Sequence, residues 1–486
     1  MMSRLVLLLA LSSLGVPSPL EDLEKEMQKE GIDLDKVHEE LKRESKEVEE
    51  EFSDKATQDQ LSKLRAAYPS TPNGTIQEMT ELEINGDMAN DLFEGDIVLS
   101  PKQWARALDR DPNATLQRRQ ALSDVVDLWQ PMGAPVIPYK FKKGFPEDKK
   151  SIITEALTFW KSRTCVKFRS ARKDDENVLE FNHNSTGCSS SVGMRGGKQS
   201  VNLAPGCFSV TIVAHEVSHA FGTLHVQSRS DRDAYVIVDT ANIVEGKEHN
   251  FMKDPPYYGK IDNYGIPYEF GSMQHYHEKA FAINRDKPTI YAKPAFAKYQ
   301  GSMESPRATF YDTLLINKMY KCTDKCKTRI ACYNNGVQDG ANCKRCFCPK
   351  GWAGTHCRRR PDNAQMTKLT ADQSIKLEVP AGAGFQEKLV IIEVNNYIPR
   401  AAQVILQAPV GKRIEAIVSR IGDYYWSMCR SIGMEIVPTK DTRIPGFRFC
   451  GNPDSNPIVS DSNQMLVYLY NDKDVPFWAE IDFSLV

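Results

Sequence analysis

A chain of the α+β class, divided into several folded units, is predicted by three features of the 486-residue sequence. Helix and strand signals mix in one stretch: Ser151–Arg163 carries Ile152, Ile153, Ala156, Leu157 and Trp160 on one helical face, and Ile212–His219 also reads as helix. Val136–Phe141, Val166–Phe168 and Val178–Phe181 read as strands. Six cysteines then crowd between Cys326 and Cys357, the mark of a crosslinked piece too small to build a core of its own. Finally, residues 362–486 read as β-structure. At their end Ala479, Ile481, Phe483 and Leu485 alternate with Glu480, Asp482 and Ser484, the period of a half-buried strand. At about 100–200 residues per unit, the length predicts two to four units. With 62 basic and 64 acidic side chains, the net charge of −2 gives no global attraction to nucleic acid or to an anionic membrane. A composition of 41% hydrophobic and 26% charged residues excludes wholesale disorder.

Residues 1–18 read as a signal peptide. Arg4 supplies the positive start, Leu5–Leu11 the apolar run, and Ser12, Ser13, Gly15 and Ser18 the small residues of a cleavage site. The run is too short to cross about 30 Å of hydrocarbon and no later apolar run follows, so secretion without a membrane anchor is expected. Export implies an oxidising compartment and paired cysteines. Residues 21–55 carry 15 acidic and 7 basic side chains, with Leu23, Met27, Leu34, Val37 and Leu41 near helical spacing. A solvated amphipathic helix is expected there. No cysteine precedes Cys165, and a cysteine-free first quarter in a cysteine-rich chain reads as a removable pro-segment.

His215-Glu216-Val217-Ser218-His219 is followed by Gly222 and His225, so three of the nine histidines fall within eleven residues. His215 and His219 lie one helical turn apart, and both imidazoles leave the same face. Gly222 can turn the chain out of the helix, which lets His225 return as a third nitrogen ligand. Three neutral imidazoles leave a fourth position open on tetrahedral Zn²⁺, the pattern of a catalytic site. Glu216 adjoins a ligand and points elsewhere, placed to take a proton from the water that the metal activates.

These residues, with His225-Val226-Gln227-Ser228-Arg229-Ser230-Asp231-Arg232-Asp233 continuing the motif, resemble the astacin family of metzincin zinc endopeptidases. The resemblance implies a zincin-like catalytic domain with an active-site helix and mixed sheet. It also implies one zinc held by His215, His219 and His225, and Glu216 as general base. Gly271-Ser272-Met273-Gln274-His275-Tyr276 matches the family's Met-containing turn, which makes Tyr276 a switchable further ligand and stabiliser of the oxyanion. Two departures stand. Gln274 occupies the family's methionine position, with Met273 one place early. Val226 replaces the Glu that in the family meets the mature N-terminal ammonium, so a mature N-terminus without that ion pair is expected.

Phe93-Glu94-Gly95-Asp96 resembles the family's inhibitory motif, in which the aspartate takes the water's place on zinc. A surface turn is the competing reading. Arg118-Arg119 offers a basic cleavage site, giving a propeptide at 19–119 and a catalytic domain at 120–322 that begins at Gln120. Asn73, Asn113 and Asn184 head glycosylation sequons. The resemblance pairs Cys165 with Cys322 and Cys188 with Cys207. Ser191–Gly197 resembles the edge strand that holds extended substrate, with a glycine-rich turn as its rival.

The ending Cys348-Pro349-Lys350-Gly351-Trp352-Ala353-Gly354-Thr355-His356-Cys357 resembles an EGF-like module at 323–358. That resemblance implies the pairs Cys326 with Cys343, Cys332 with Cys346, and Cys348 with Cys357. A zinc knuckle around Cys343-x-x-Cys346 is the rival, against which secretion and the Gly-aromatic spacing argue. Arg358-Arg359-Arg360-Pro361 reads as a basic linker. Cys429 to Cys450, with Gly446-Phe447-Arg448-Phe449, resembles a CUB-like β-sandwich at 359–486, a module that binds proteins or glycans. The order of domains resembles nematode astacins. A secreted, zymogen-activated zinc metalloendopeptidase acting on extracellular proteins, matrix or cuticle among them, is the function implied. A secreted adhesion or scaffold protein with an inert protease domain is the alternative.

Overall fold

The computed structural model describes residues 33–486 apart from 70–74, 77–78, 87–88, 90–91, 109–127, 130–133, 184, 186, 255–261, 306, 363, 369, 380–402, 423, 427, 452 and 472. The expected signal peptide, the Arg118-Arg119 cleavage site, Gln120 and the sequon asparagines Asn73, Asn113 and Asn184 therefore lie outside the described residues.

The first helices belong to the charged segment. Asp33 caps α1 (Leu34–Glu51) and Asp54 caps α2 (Lys55–Ala67), each carboxylate accepting from a first-turn backbone N–H. The solvated helix expected here is instead docked. Val48, Phe52 and Leu61 are buried in one cluster with Val236, Ile237 and Phe251. The apolar stripe of α1 is narrow, but its partner is another hydrophobic surface rather than water. Polar contacts fix the docking: Glu51 pairs with the buried Arg232 at 3.1 Å, and Arg65 Nε donates to Asp239 at 2.6 Å. Two short helices follow, α3 (Glu81–Asn85), with a Thr80–Glu83 capping box, and α4 (Pro101–Leu108).

A five-stranded sheet comes next, built of β1 (Val136–Phe141), β2 (Lys167–Ser170), β3 (Val178–Asn182), β4 (Cys188–Ser190) and β5 (Lys198–Leu203) in the order β2-β1-β3-β5-β4. Only β4, at the edge, runs antiparallel to its neighbour. The strand expected over 191–197 ends at Ser190. Gly193, Gly196 and Gly197 have φ of 70, 90 and 66°, outside the extended region, so those residues form the turn into β5. Helices α5 (Glu147–Arg163) and α6 (Val210–Phe221) pack on this sheet around Trp160, Phe181, Val201, Val213 and Val217, all without measurable exposure.

Beyond α6 the chain is largely irregular. It makes the β6 (Val236–Val238) and β7 (Ile290–Ala292) ribbon, then α7 (Phe310–Met319). Three disulfides, Cys326–Cys343, Cys332–Cys346 and Cys348–Cys357, tie a small unit around the β8 (Val337–Gln338) and β9 (Cys346–Phe347) pair. These are the pairs the resemblance implies. With Cys343 and Cys346 each joined in a disulfide, neither thiol is left for the rival zinc knuckle. The last unit is a sandwich. One sheet holds β10 (Ala364–Lys368), β12 (Gln403–Gln407), β17 (Gln464–Asn471), β14 (Ile432–Val437) and β15 (Phe447–Phe449). The other holds β11 (Gln373–Val379), β18 (Phe477–Leu485), β13 (Ile414–Ile421) and β16 (Asp454–Val459). Phe477, Ala479, Ile481 and Phe483 of β18 enter the core between the sheets, as the alternation requires. Cys429–Cys450 closes this unit, and Cys165–Cys322 and Cys188–Cys207 crosslink the first, so all twelve cysteines are paired. Among the described residues no helix is long and apolar enough to cross a membrane.

Candidate active site

Helix α6 is held rigidly before it presents any chemistry. Ser209 caps its start, accepting from Ile212 N at 3.1 Å, and Gly222 ends it with φ of 111°. The last carbonyls of a helix lack intrahelical donors. Here buried aromatic side chains supply them: Trp129 Nε1 donates to Ala220 O at 2.8 Å and the Tyr320 hydroxyl to Phe221 O at 2.9 Å. Trp160 Nε1 also donates to Ala214 O at 3.0 Å, beside the first histidine.

His215 and His219 leave one face of this helix with their Nε2 atoms 3.0 Å apart, and the turn at Gly222 brings His225 back to them. Each Nδ1 is occupied. His215 Nδ1 donates to Met273 O at 2.8 Å, and His219 Nδ1 to Thr223 O at 2.9 Å. His225 Nδ1 donates to Glu94 Oε2 at 2.6 Å. That assignment leaves all three Nε2 lone pairs facing one point, the tautomer a metal needs. Asp96 reaches the same point from the segment that precedes the sheet. Its Oδ2 lies 3.3 Å from the Nε2 of His215 and of His225, and its Oδ1 lies 3.7 Å from that of His219. The four ligand atoms lie within 4.8 Å of one another and all four residues are buried. Three imidazole nitrogens and one carboxylate oxygen, converging with oriented rings, fit a zinc ion.

Glu216 is fully buried beside this cluster and neither carboxylate oxygen has a protein hydrogen-bond donor. Burial, followed by the nearby Asp96 and Glu81 carboxylates, pushes its carboxyl well above the usual range. For Asp96, burial acts upward but the three imidazoles outweigh it, and the carboxyl is held below the usual range. Tyr276 stands over His225, ring centres 4.9 Å apart, and its hydroxyl donates to Glu94 O at 2.8 Å. The structure thus brings together His215, Glu216, His219, His225, Tyr276 and Asp96.

Several residues of the site went unread in the sequence. Glu94 is 1% exposed; its carboxylate binds His225 and also accepts from the Ser228 hydroxyl. Its φ of 45° and that of 73° at Gly95 form the tight turn that presents Asp96; a Cβ at Gly95 would collide with the Leu82 side chain. Asp312 accepts from Ser272 Oγ at 2.5 Å and Met273 N at 3.0 Å, which fixes the turn before Tyr276. Its capping box with Thr309 was a visible signal. Gln274 is not a packing residue. Its Nε2 donates to Ser218 Oγ at 2.7 Å and to His215 O at 3.3 Å, while Met273 enters the apolar core with Trp160 and Val217. Val226 is half-buried among the hydrophobics around Tyr276.

The segment around Asp96 also occupies the sheet edge. Asp96 O accepts from Ser190 N at 3.0 Å and Val98 N donates to Ser190 O at 2.9 Å, a parallel pairing. The Asn85 side chain imitates a strand there: Oδ1 accepts from Cys188 N at 2.6 Å and Nδ2 donates to Cys188 O at 2.8 Å.

A helix-borne His-Glu-x-x-His pair, a third histidine after a glycine turn and a tyrosine on a methionine-containing turn define a zinc-peptidase site of the metzincin type. Residues 122–321 match the family model for Astacin, a peptidase family, and this stretch of the chain is an astacin-type domain. Among relatives, the chain is 32% identical over 394 residues to zinc metalloproteinase nas-30 of Caenorhabditis elegans, covering 80% of this chain and 50% of that protein. To zinc metalloproteinase nas-36 of the same nematode it is 32% identical over 417 residues, covering 82% of this chain and 61% of that protein. The chain thus spans between half and two thirds of these curated relatives' length. Among solved structures it is similar to high choriolytic enzyme 1, a hatching enzyme zinc-protease from Oryzias latipes. There the identity is 29% with a TM-score of 0.33, covering 38% of this chain and 89% of that one.

Proposed function

We propose that the chain is a secreted zymogen of a zinc metalloendopeptidase that hydrolyses peptide bonds of extracellular proteins, matrix or cuticle proteins among them. The observation that carries the reading is the buried convergence of three histidine Nε2 atoms and the Asp96 carboxylate beside Glu216. Zinc held by His215, His219 and His225 supplies, when bound, a Lewis acid that acidifies a water molecule and polarises the scissile carbonyl. Glu216 accepts the proton of the attacking water and delivers it to the leaving amine nitrogen. Tyr276, once its hydroxyl is released from Glu94 O, donates to the oxygen on which negative charge develops. The edge strand β4 offers the Cys188 and Ser190 backbone groups to extended substrate.

In the same reading, residues 1–18 are a signal peptide, and 19–119 a propeptide whose Asp96 blocks the site until cleavage after Arg119. The catalytic domain is 120–322. The three-disulfide piece at 323–358 is EGF-like and the sandwich at 359–486 is CUB-like, a surface for proteins or glycans. Asn73, Asn113 and Asn184 carry glycans. The interleaved pairs Cys326–Cys343 and Cys332–Cys346, followed by Cys348–Cys357, and the two-sheet core support the module assignments. The test compares the full chain before and after cleavage at Arg119 on a broad peptide library, with and without a zinc chelator. Hydrolysis that appears on cleavage and vanishes with the chelator is expected. Zinc-loaded, cleaved protein that hydrolyses nothing overturns the reading in favour of an inert scaffold.

A further inference from the structure

The pro-segment touches the C-terminal sandwich as well as the catalytic domain. Ile76 forms a parallel bridge with Trp426, and its N–H donates to Tyr425 O at 2.6 Å. Three residues on, Met79 O accepts from Arg430 Nη1 at 2.7 Å. Glu81 Oε1 then lies 3.0 Å from Arg430 Nη2. The same Nη2 lies 2.9 Å from Glu304 of the catalytic domain. One buried arginine therefore joins three parts of the chain.

From Glu81 onward the described residues of the pro-segment lead to the site. Helix α3 carries Asn85 onto Cys188 of β4, residues 96–98 pair with Ser190, and Asp96 enters the histidine cluster. Arg430 thus stands at the far end of a continuous peptide path that ends at His215, and Glu81 is close enough to His215 for their charges to interact. Glu304 pairs Arg430 within the permanent part of the molecule. The second carboxylate is provided by a segment that processing takes away. Among the described residues the contacts that segment makes here include two main-chain groups and one acidic side chain, which is how an extended peptide is recognised.

Building on the reading of the chain as a zymogen peptidase, we propose that the Arg430 face of the sandwich is a peptide-binding surface continuous with the catalytic cleft. In the processed protein it takes an extended stretch of protein substrate carrying an acidic side chain where Glu81 now lies. Arg430 is then a specificity-determining residue supplied by a non-catalytic unit, and Glu81 is its placeholder in the zymogen.

The test uses the full chain, expressed with a site-specific protease sequence inserted after Arg119, cleaved there and separated from the pro-segment. The probe is a fluorescent peptide spanning 74–90, which stops short of Phe93 and carries none of the inhibitory turn. Fluorescence anisotropy is expected to show binding that weakens about tenfold when the peptide carries Glu81→Gln or the protein carries Arg430→Gln, with no further loss when both are present. Arg430→Lys, which keeps the charge and loses the fork, is expected to fall between. No binding of the parent peptide overturns the proposal. So does equal binding of the Glu81→Gln peptide, a variant that leaves the protein's fold untouched. Binding is read without hydrolysis. Protein that binds in this pattern but cleaves no peptide sinks the peptidase reading, whereas protein that cleaves peptides but ignores Glu81 sinks this surface alone.

Discussion

Replacing Glu94 with Ala in the uncleaved chain isolates a contact that no aspartate switch requires. The Glu94 carboxylate binds His225 Nδ1 at 2.6 Å and accepts from Ser228 Oγ, at a position 1% exposed. Hydrogen bonds to a charged group contribute about 1.5–3 kcal/mol each, and water recovers part of that when the pro-segment lifts away. A net loss of about 2–4 kcal/mol on the docked state follows, which opens the site about 30- to 1000-fold more often. Asp96 and the Glu94 O–Tyr276 contact remain, so latency weakens without vanishing. Glu94→Gln, which keeps the shape and one acceptor, falls between. The assay is hydrolysis of a quenched fluorescent peptide by uncleaved protein, paired with hydrogen exchange over residues 93–98. If Glu94→Ala is as silent and as protected as the parent while Asp96→Ala leaks, the reasoning is refuted.

Other outcomes follow from the same geometry. Tyr320→Phe removes the hydroxyl donor to Phe221 O at the end of α6 and is expected to cost about 1–3 kcal/mol in urea unfolding; an unchanged midpoint contradicts it. His249 is buried under α1, its N–H donating to Ser45 Oγ at 3.3 Å, with Lys247 and Glu248 just before it in the chain. Burial, then Lys247, pushes it from 6.5 down to about 3. The folded state therefore binds fewer protons than the unfolded one between those values. Its contribution is intact above pH 6.5 and declines toward pH 3, by up to about 1.4 kcal/mol per unit. Burial raises Glu248 above 4.5, so its proton uptake acts in the opposite sense within this range, and the comparison of parent with His249→Phe over pH 4.5–6.5 isolates the histidine. His249→Phe is expected to flatten the stability profile there; an unchanged slope counts against the assignment. Because Val226 offers no carboxylate to a mature N-terminal ammonium, three or four extra residues before Gln120 are expected to leave peptide hydrolysis within about twofold. Loss of activity would show that the end is locked by another route.

What the sequence revealed and what it hid divide by distance along the chain. His215, Glu216, His219 and His225 lie within one helix and its exit turn, so their spacing alone projects them to one point. Asp96 was legible through its four-residue resemblance. Glu94, by contrast, acts on Ser228 and His225, more than 130 residues away, and a glutamate beside a glycine carries no mark of that contact. Gln274 looked like a lost methionine because the turn was compared position by position; in three dimensions Met273 supplies the buried thioether and the amide braces the active-site helix. The helix at 34–51 looked solvated because its charges outnumber its apolar residues. Its docking surface, near Phe251, was out of sight of any local pattern. The misplaced edge strand had a local cause after all: three glycines with positive φ mark a turn.

The central claim is that Glu216 performs proton transfer at a zinc held by the three histidines. The most direct measurement is the rate of peptide hydrolysis by processed chain and by its Glu216→Gln variant at matched zinc content. Equal zinc with a rate lower by at least about 10²–10⁴ in the variant is predicted. Equal rates in the two proteins, or no hydrolysis by either, would contradict it.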